Sequence, residues 1–278
     1  MTALVNHTWQ LQDSATGPVL RCPQGWLQVD LLSDLHLSPA TPYTAAALAQ
    51  HLATTPADAV LILGDLFEVW VGDDGLDDPD SFEQQMLRLL GTAAQRLPIA
   101  FLAGNRDFLV GPRFLSATGV LALPESVRLE LGRQSLLLVH GDAQCLDDSA
   151  YQAFRREVRS SAWQQAFLAR PLAQRRAIAR GLREASESRK GDIGPDGYAD
   201  LDRPEMLRLL QQAGTHTLVH GHTHRPGCDE LTPGRVRWVL SDWDLDAPTP
   251  RGDLLRLSDT GLQRLAVQPA IPAAAAAR

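Results

Sequence analysis

The sequence predicts an α/β fold, and three observations predict it. Short apolar runs recur along the chain and alternate with helical stretches. Five or six of these runs end in polar residues able to ligate a metal. The interval from Cys145 to Thr215 has no clear strand and reads as helices inserted into that rhythm. Ligands of α/β sheets gather at the carboxyl ends of strands, so the second observation bears on function as well as on fold.

The elements follow in chain order. Leu27 to Leu32 reads as a strand that delivers Asp34 and His36 at its end. Pro42 opens a helix over Tyr43 to Leu52, since proline is tolerated in a first turn. Ala59 to Leu63 is a buried strand leading to Gly64-Asp65. Ser81 is an N-cap for a helix reaching about Arg96. Ile99 to Leu102 leads to Gly104-Asn105-Arg106-Asp107, and Ser135 to Val139 leads to His140-Gly141-Asp142. Helices are expected over Asp148 to Ala169, Pro171 to about Glu187, and Pro204 to Ala213. Thr217 to Val219 leads to His220-Gly221-His222-Thr223-His224, and Val236 to Leu240 to Ser241-Asp242-Trp243. Leu254–Leu257 and Gln263–Val267 close the fold.

Residues 27–268 are therefore expected to form one domain with a helical cap insertion at about 146–215. Residues 1–26 read as a disordered leader without the apolar stretch of a signal peptide, and 269–278 as a Pro/Ala-rich flexible tail. The chain of 278 residues, 44% hydrophobic and 21% charged, has ample material for a core. Its net charge of −7 argues against a nucleic-acid partner. Cys22, Cys145 and Cys228 are odd in number and widely spaced, which argues for a reducing compartment. No run of about 18 apolar residues is present to span a bilayer.

The chemistry lies in the strand-end set Asp34, His36, Asp65, Asn105, His140, His222 and His224. All offer oxygen or imidazole donors and none a thiolate, a mixture that suits hard to borderline divalent ions such as Mn²⁺. The set is too large for one ion and sufficient for two, and paired ions serve phosphoryl transfer. In Asp34-x-His36 and His222-x-His224 alternation puts both side chains on one side of an extended segment. Each fragment alone is commonplace; a lone strand-end histidine is usually structural. The five fragments in this order, each after an apolar run, are specific.

Asp34-x-His36, Gly64-Asp65, Gly104-Asn105, His140 and Gly221-His222-Thr223-His224 resemble the calcineurin-like metallophosphoesterase superfamily. The resemblance implies a two-sheet α/β sandwich flanked by helices around a dinuclear centre. It implies one ion on Asp34, His36, Asp65 and His224, and another on Asp65, Asn105, His140 and His222. His220 falls outside the motif and reads as structural.

Where most members carry Gly-Asn-His, this chain has Gly104-Asn105-Arg106. With Ile62 to Glu68, Trp70-x-Gly72-Asp73-Asp74, Asp147-Asp148-x-x-Tyr151-Gln152-x-Phe154-Arg155 and Arg225-Pro226, it resembles the branch that hydrolyses UDP-2,3-diacylglucosamine in bacterial lipid A biosynthesis. That implies water attack on the uridine-side phosphorus, with Asp65, Asn105 and Arg106 as catalytic residues and UMP and 2,3-diacylglucosamine 1-phosphate as products. The arginine makes chemical sense. A phosphate-monoester leaving group has a second pKa near ~6 and departs unprotonated, so charge neutralisation replaces a general acid. A salt bridge to Asp107 is the structural alternative for Arg106.

The branch further implies substrate contacts from Asn105, Arg106, Asp148, Arg183, Ser186, Lys190 and His222. Aligned without gaps, Lys190, the only lysine, falls where the branch has asparagine or threonine and Ile193 falls where it has its lysine, whereas a shifted register would let Lys190 serve as that lysine. Arg155 to Lys190 holds ten basic and three acidic residues around Trp163, Phe167, Leu168, Leu172 and Ile178. An excess of that size is expected to repel itself without a ligand. It suggests a cap for acyl chains that rests on the cytoplasmic face of the inner membrane as a peripheral contact. No obligate protein partner is evident. The competing readings are a metal-dependent phosphodiesterase or phosphomonoesterase on a soluble nucleotide, and a non-catalytic metal-binding scaffold, which would need lost ligands.

Overall fold

The computed structural model describes residues 9–193 and 199–267, and of 185–193 only the backbone. Strands β1 (Gln10–Ser14), β2 (Gly17–Arg21) and β3 (Gln28–Leu32) precede helix α1 (Pro42–Thr54) and β4 (Ala59–Leu63). Helix α2 (Phe82–Ala94), β5 (Ile99–Leu102), α3 (Pro112–Thr118), β6 (Leu121–Leu123), β7 (Ser126–Leu131) and β8 (Gln134–Val139) follow. Helices α4 (Ser149–Val158), α5 (Ser161–Leu168), α6 (Leu172–Ile193) and α7 (Arg203–Ala213) come next. Strands β9 (Thr217–His220), β10 (Gly227–Thr232), β11 (Arg235–Val239), β12 (Asp253–Ser258) and β13 (Gly261–Ala266) complete the chain.

The strands form two sheets, ordered β13-β12-β3-β4-β5-β6 and β1-β2-β7-β8-β9-β11-β10. Side-chain alternation explains their stacking. In β4, Ala59, Leu61 and Leu63 enter a cluster shared with Leu129, Leu136 and Leu138 of the other sheet. Val60 and Ile62 turn the opposite way, toward Leu48, Leu52 and Leu90 of α1 and α2. In β8, Leu136 and Leu138 face the same inter-sheet cluster, while Leu137 and Val139 meet Met206 and Leu210 of α7. Strands apolar on both faces need a cover on each side, and helices supply it. This is the expected two-sheet sandwich.

Local signals behave as expected in places. Ser81 caps α2 by accepting the Gln84 N–H at 3.1 Å. Helix α1 carries Pro42 in its first turn, but its free N–H groups at Tyr43 and Thr44 go to Asp246, both at 2.9 Å.

Three expectations need correction. The leader is not disordered throughout: Gln10–Ser14 and Gly17–Arg21 form a hairpin whose second strand runs parallel to β7. Val19 and Leu20 are buried there, and the Trp9 and Trp26 rings meet at 5.3 Å, so this stretch extends the sheet. The helix expected over Asp148 to Ala169 is two helices, because Ser160 accepts the Trp163 N–H and starts a new one. The last helix of the expected insertion, α7, covers the sandwich and closes its third core cluster. Residues 1–8, 194–198 and the tail from 268 lie outside the described residues.

Candidate metal centre

The loops leaving β3, β4, β8, β9 and β11 are joined by backbone hydrogen bonds. The Asp34 N–H donates to the Gly64 carbonyl (3.0 Å), His36 to Asp65 (3.0 Å), Gly221 to His140 (2.9 Å) and Trp243 to Asp34 (2.9 Å). The strand ends of both sheets thus meet at one place. The five described non-glycine residues with positive φ are Asp34, His36, Asp65, His222 and His224, all of them predicted ligands. A left-handed conformation costs a non-glycine residue on the order of 1 kcal/mol, so five together mark a site that the fold sustains against local preference. Gly104 is required by close approach, since a Cβ there would strike the Asp65 carboxylate.

The predicted ligands converge. Two groups have their donor atoms within 4.8 Å of one another: Asp34, His36 and His224, and Asp34, Asp65 and His140. His36 Nε2 faces His224 Nε2 at 3.2 Å, and Asp34 Oδ1 lies 3.3 Å from His224 Nε2 and is buried without a well-aligned hydrogen bond. Imidazole nitrogens and a carboxylate oxygen aimed at a common point are suited to a cation. His140 Nδ1 donates to the Leu63 carbonyl at 2.8 Å, which leaves Nε2 directed at Asn105 Oδ1 (3.0 Å) and Asp65 Oδ1 (3.6 Å). A backbone acceptor that fixes the tautomer in this way is usual for a metal-binding histidine. The His222 ring packs 5.2 Å from that of His140, and the His222 backbone N–H donates to Asp34 Oδ2 at 2.9 Å. The donors fit divalent ions. Both close groups contain Asp34, whereas the resemblance gives the bridging place to Asp65.

Electrostatics point the same way. Burial pushes His36 and His222 down to about 3, so both imidazoles are neutral near pH 7, the form that binds metal. Burial opposes a charge on Asp34, but the surrounding histidines, His224 first, hold it well below the usual carboxylate range. Burial also opposes charging His140, yet Asp65, Asp34 and Asp142 together raise it to about 9. Burial lifts Asp65 above the usual range. His220 is fully buried, donates from Nδ1 to the Gly221 carbonyl at 2.8 Å, and is pushed by burial to about 4. It is structural, as its position outside the motif indicated.

Arg106 does not pair with Asp107. Its Nη1 reaches Glu68 Oε1 at 2.9 Å and its backbone N–H donates to Asp65 Oδ1 at 2.8 Å. Asp107 is buried and accepts from the backbone of Leu66, Phe67 and Gly104. Asp148 is exposed and caps α4 through the Tyr151 N–H. It stands one turn from the Tyr151 ring, which is 6.3 Å from His222. Arg183 reaches Glu68 Oε1 at 3.2 Å. The side chains of Ser186 and Lys190 lie outside the described residues.

The cap does not repel itself as expected. Arg155 and Arg159 pair with Glu125 and Asp142, Arg175 with Asp74, Arg176 with Glu83 and Arg183 with Glu68. The compensating acids lie outside the Arg155–Lys190 segment, so a charge count within it overstates the excess. Three carboxylates that sequence reasoning left without a role emerge here. Glu68 touches His36, Arg106 and Arg183. Asp142 accepts from Tyr151 and Arg155. Asp242 lies 3.6 Å from His224 Nδ1 and is held by Arg251. Glu68 and Asp142 lie within three residues of the predicted ligands Asp65 and His140, and Asp242 follows the apolar run of β11, which are the signals that could have singled them out.

Two stacked sheets with buried carboxylates, imidazoles and an amide at their joined strand ends define a metal-dependent phosphoesterase. The chain belongs to the calcineurin-like phosphoesterase family, whose model matches residues 27–226. It is 42% identical over 239 residues to the UDP-2,3-diacylglucosamine hydrolase of Bordetella pertussis, a match covering 84% of this chain and 92% of that one. The Ralstonia nicotianae protein of the same name is 40% identical over 271 residues, covering 90% and 96%. Among solved structures, Vps29 from Cryptosporidium parvum is similar with a TM-score of 0.45 and 14% identity, covering 88% of this chain and 94% of that one.

Proposed function

We propose that the chain hydrolyses the pyrophosphate of UDP-2,3-diacylglucosamine to UMP and 2,3-diacylglucosamine 1-phosphate, a step of lipid A biosynthesis. The observation that carries this reading is the chain's 42% identity to the Bordetella pertussis hydrolase of that substrate. Asp34, His36, Asp65 and His224 would hold one divalent ion, and Asp65, Asn105, His140 and His222 the other, with Mn²⁺ favoured by the donor chemistry. When bound, such ions polarise phosphoryl oxygens and acidify water.

The chain's own residues do the rest. Arg106, held beside the metal centre by Glu68 and by the Asp65 contact, neutralises charge that gathers on the equatorial oxygens. No general acid is required, because the leaving sugar phosphate departs as an anion. His222 and Asn105 contact the phosphates from the ligand loops. Asp148 and Arg183 contact the substrate from the cap side, with Ser186 and Lys190 further along α6.

The cap supplies an apolar place for acyl chains. Trp163, Ala166, Phe167, Arg170 and Ile178 line a groove of about 130 Å³, and the Trp163 and Phe167 rings stack at 4.6 Å. Peripheral contact with the cytoplasmic face of the inner membrane belongs to the same reading. No described helix is long and apolar enough to cross a membrane. With five cap arginines in ion pairs, that contact draws on exposed Leu168 and Leu182 as much as on charge.

The test compares substrates. The wild type should release UMP from the diacylated UDP-sugar with Mn²⁺ present. Trp163→Asp and Phe167→Asp should lower that activity at least tenfold while sparing bis(4-nitrophenyl) phosphate. Turnover of the chromogenic diester alone would favour an enzyme for soluble nucleotides. Equal losses on both substrates would mean that the cap only supports the fold.

A further inference from the structure

Glu68 ends the strand-and-loop motif that begins at Ile62, and its part so far is only to hold Arg106. It is partly buried, three residues after the ligand Asp65, where the chain runs beneath the cap. Its two carboxylate oxygens face in different directions. Oε2 stands 3.4 Å from His36 Nδ1. The other nitrogen of that ring, Nε2, faces His224 Nε2 and Asp34 Oδ1. Oε1 takes the Arg106 Nη1 at 2.9 Å and the Arg183 Nη1 at 3.2 Å. One carboxylate therefore meets a metal ligand, the arginine at the reaction centre and an arginine of the cap.

We infer that Glu68 is a positioning residue that couples the cap to the reaction centre, holding the His36 ring toward the ligand cluster and aiming Arg106 and Arg183 at the substrate's diphosphate. This rests on the reading of the site as a diphosphate hydrolase.

Three physical effects follow from the one position. A carboxylate beside Nδ1 favours the tautomer with hydrogen there and leaves the Nε2 lone pair for an ion. Two guanidinium groups brought within 3.2 Å of the same oxygen would repel each other without the intervening negative charge. With it they are held together as a preformed pair, and the planar fork of arginine suits phosphate oxygens. Because Arg183 sits on α6 and Arg106 follows β5, the carboxylate also sets how the cap meets the core.

The variants are Glu68→Gln, which keeps the volume and removes the charge, and Glu68→Ala. Mn²⁺ affinity is read from the electron paramagnetic resonance signal of the free ion, without reference to turnover. Both variants should bind Mn²⁺ at least tenfold more weakly. At saturating Mn²⁺, kcat on bis(4-nitrophenyl) phosphate should fall at least fivefold because Arg106 is no longer aimed. On the diacylated UDP-sugar, the KM increases of Glu68→Ala and Arg183→Ala should be strongly non-additive in the double variant, since both break one contact. A merely structural role would give additive losses and leave Mn²⁺ affinity unchanged. The inference is overturned if Mn²⁺ affinity stays within twofold of wild type in Glu68→Gln, or if the KM effects add. Should Glu68→Ala fail to fold, Glu68→Gln, with its thermal unfolding measured alongside, decides the question and pairs with Arg183→Ala in the cycle. Should the wild type not turn over the lipid substrate, the functional reading fails, while Mn²⁺ affinity and the chromogenic diester still decide the role of Glu68.

Discussion

Replacing Arg175 with alanine should loosen the cap without disturbing the metal centre. Arg175 is 1% exposed although it lies on α6. Its guanidinium donates to the Val71 carbonyl and to the Asp74 carboxylate, and its Nε to the Arg170 carbonyl at 2.9 Å. Gly72 makes room for it, because a Cβ there would strike Arg175 and come within 2.7 Å of Leu168. The alanine variant leaves the Val71 carbonyl without this partner, which costs roughly 1–3 kcal/mol for a buried group. It also removes the packed aliphatic stem. Asp74 is partly exposed and regains water, so its share is small. A loss of about 2–4 kcal/mol follows, spread over α5, α6 and the Trp70 to Asp74 loop. Hydrogen exchange should rise in those segments and stay unchanged in β3, β4 and β5. Thermal unfolding should start several degrees lower, at about 2–4 °C per kcal/mol for a domain of this order of size. A variant that matches the wild type in both measurements would refute the view that this buried cation latches the cap.

Three further outcomes are expected. Asp65→Ala should abolish activity and lower metal content by atomic emission, because Asp65 is buried in the ligand cluster beside His140; an active variant would sink the two-metal reading. Arg106→Ala should keep its metal but lose at least tenfold in turnover, about 1.4 kcal/mol of transition-state stabilisation, and metal loss instead would make Arg106 structural. Acid should destabilise the fold through Asp30, where burial opposes the charge but hydrogen bonds from Arg256, His51 and Thr55 hold the carboxyl down to about 2. A folded pKa below the ordinary 3.8 stabilises above about pH 4, and that contribution of about 2 kcal/mol is lost as pH falls from about 4 to 2. Urea unfolding of Asp30→Asn should change less over that window than the wild type, and parallel profiles would contradict the assignment.

The parts of this molecule that sequence reveals are those whose signal is local. Ala59–Leu63 and Ile99–Leu102 are continuous apolar runs, and the strands have those bounds. The proposed ligand set could be picked out because each member follows such a run within a few residues. The hairpin of β1 and β2 was hidden because Val19 and Leu20 are its buried apolar pair among exposed neighbours. Strand β10 is a largely exposed edge without apolar alternation, and β6 is three residues long. The cap's charge balance was invisible for a different reason. Arg175 and Asp74 are 101 positions apart, as Arg176 and Glu83 are 93 apart, and pairing over such separations is a product of the fold. Glu68 falls within the Ile62–Glu68 motif, but its meeting with Arg183 likewise appears only when α6 is laid across the strand ends.

The proposed reaction is cleavage of a UDP-sugar lipid by metal-dependent attack of water on the uridine-side phosphorus. Hydrolysis in ¹⁸O-labelled water tests it most directly. Metal-stripped protein is loaded with Mn²⁺, given UDP-2,3-diacylglucosamine, and the products are weighed by mass spectrometry. One ¹⁸O is expected in UMP, none in the diacylglucosamine 1-phosphate, and no product before Mn²⁺ is added. Label in the lipid phosphate, or undiminished turnover by the stripped protein, would contradict it.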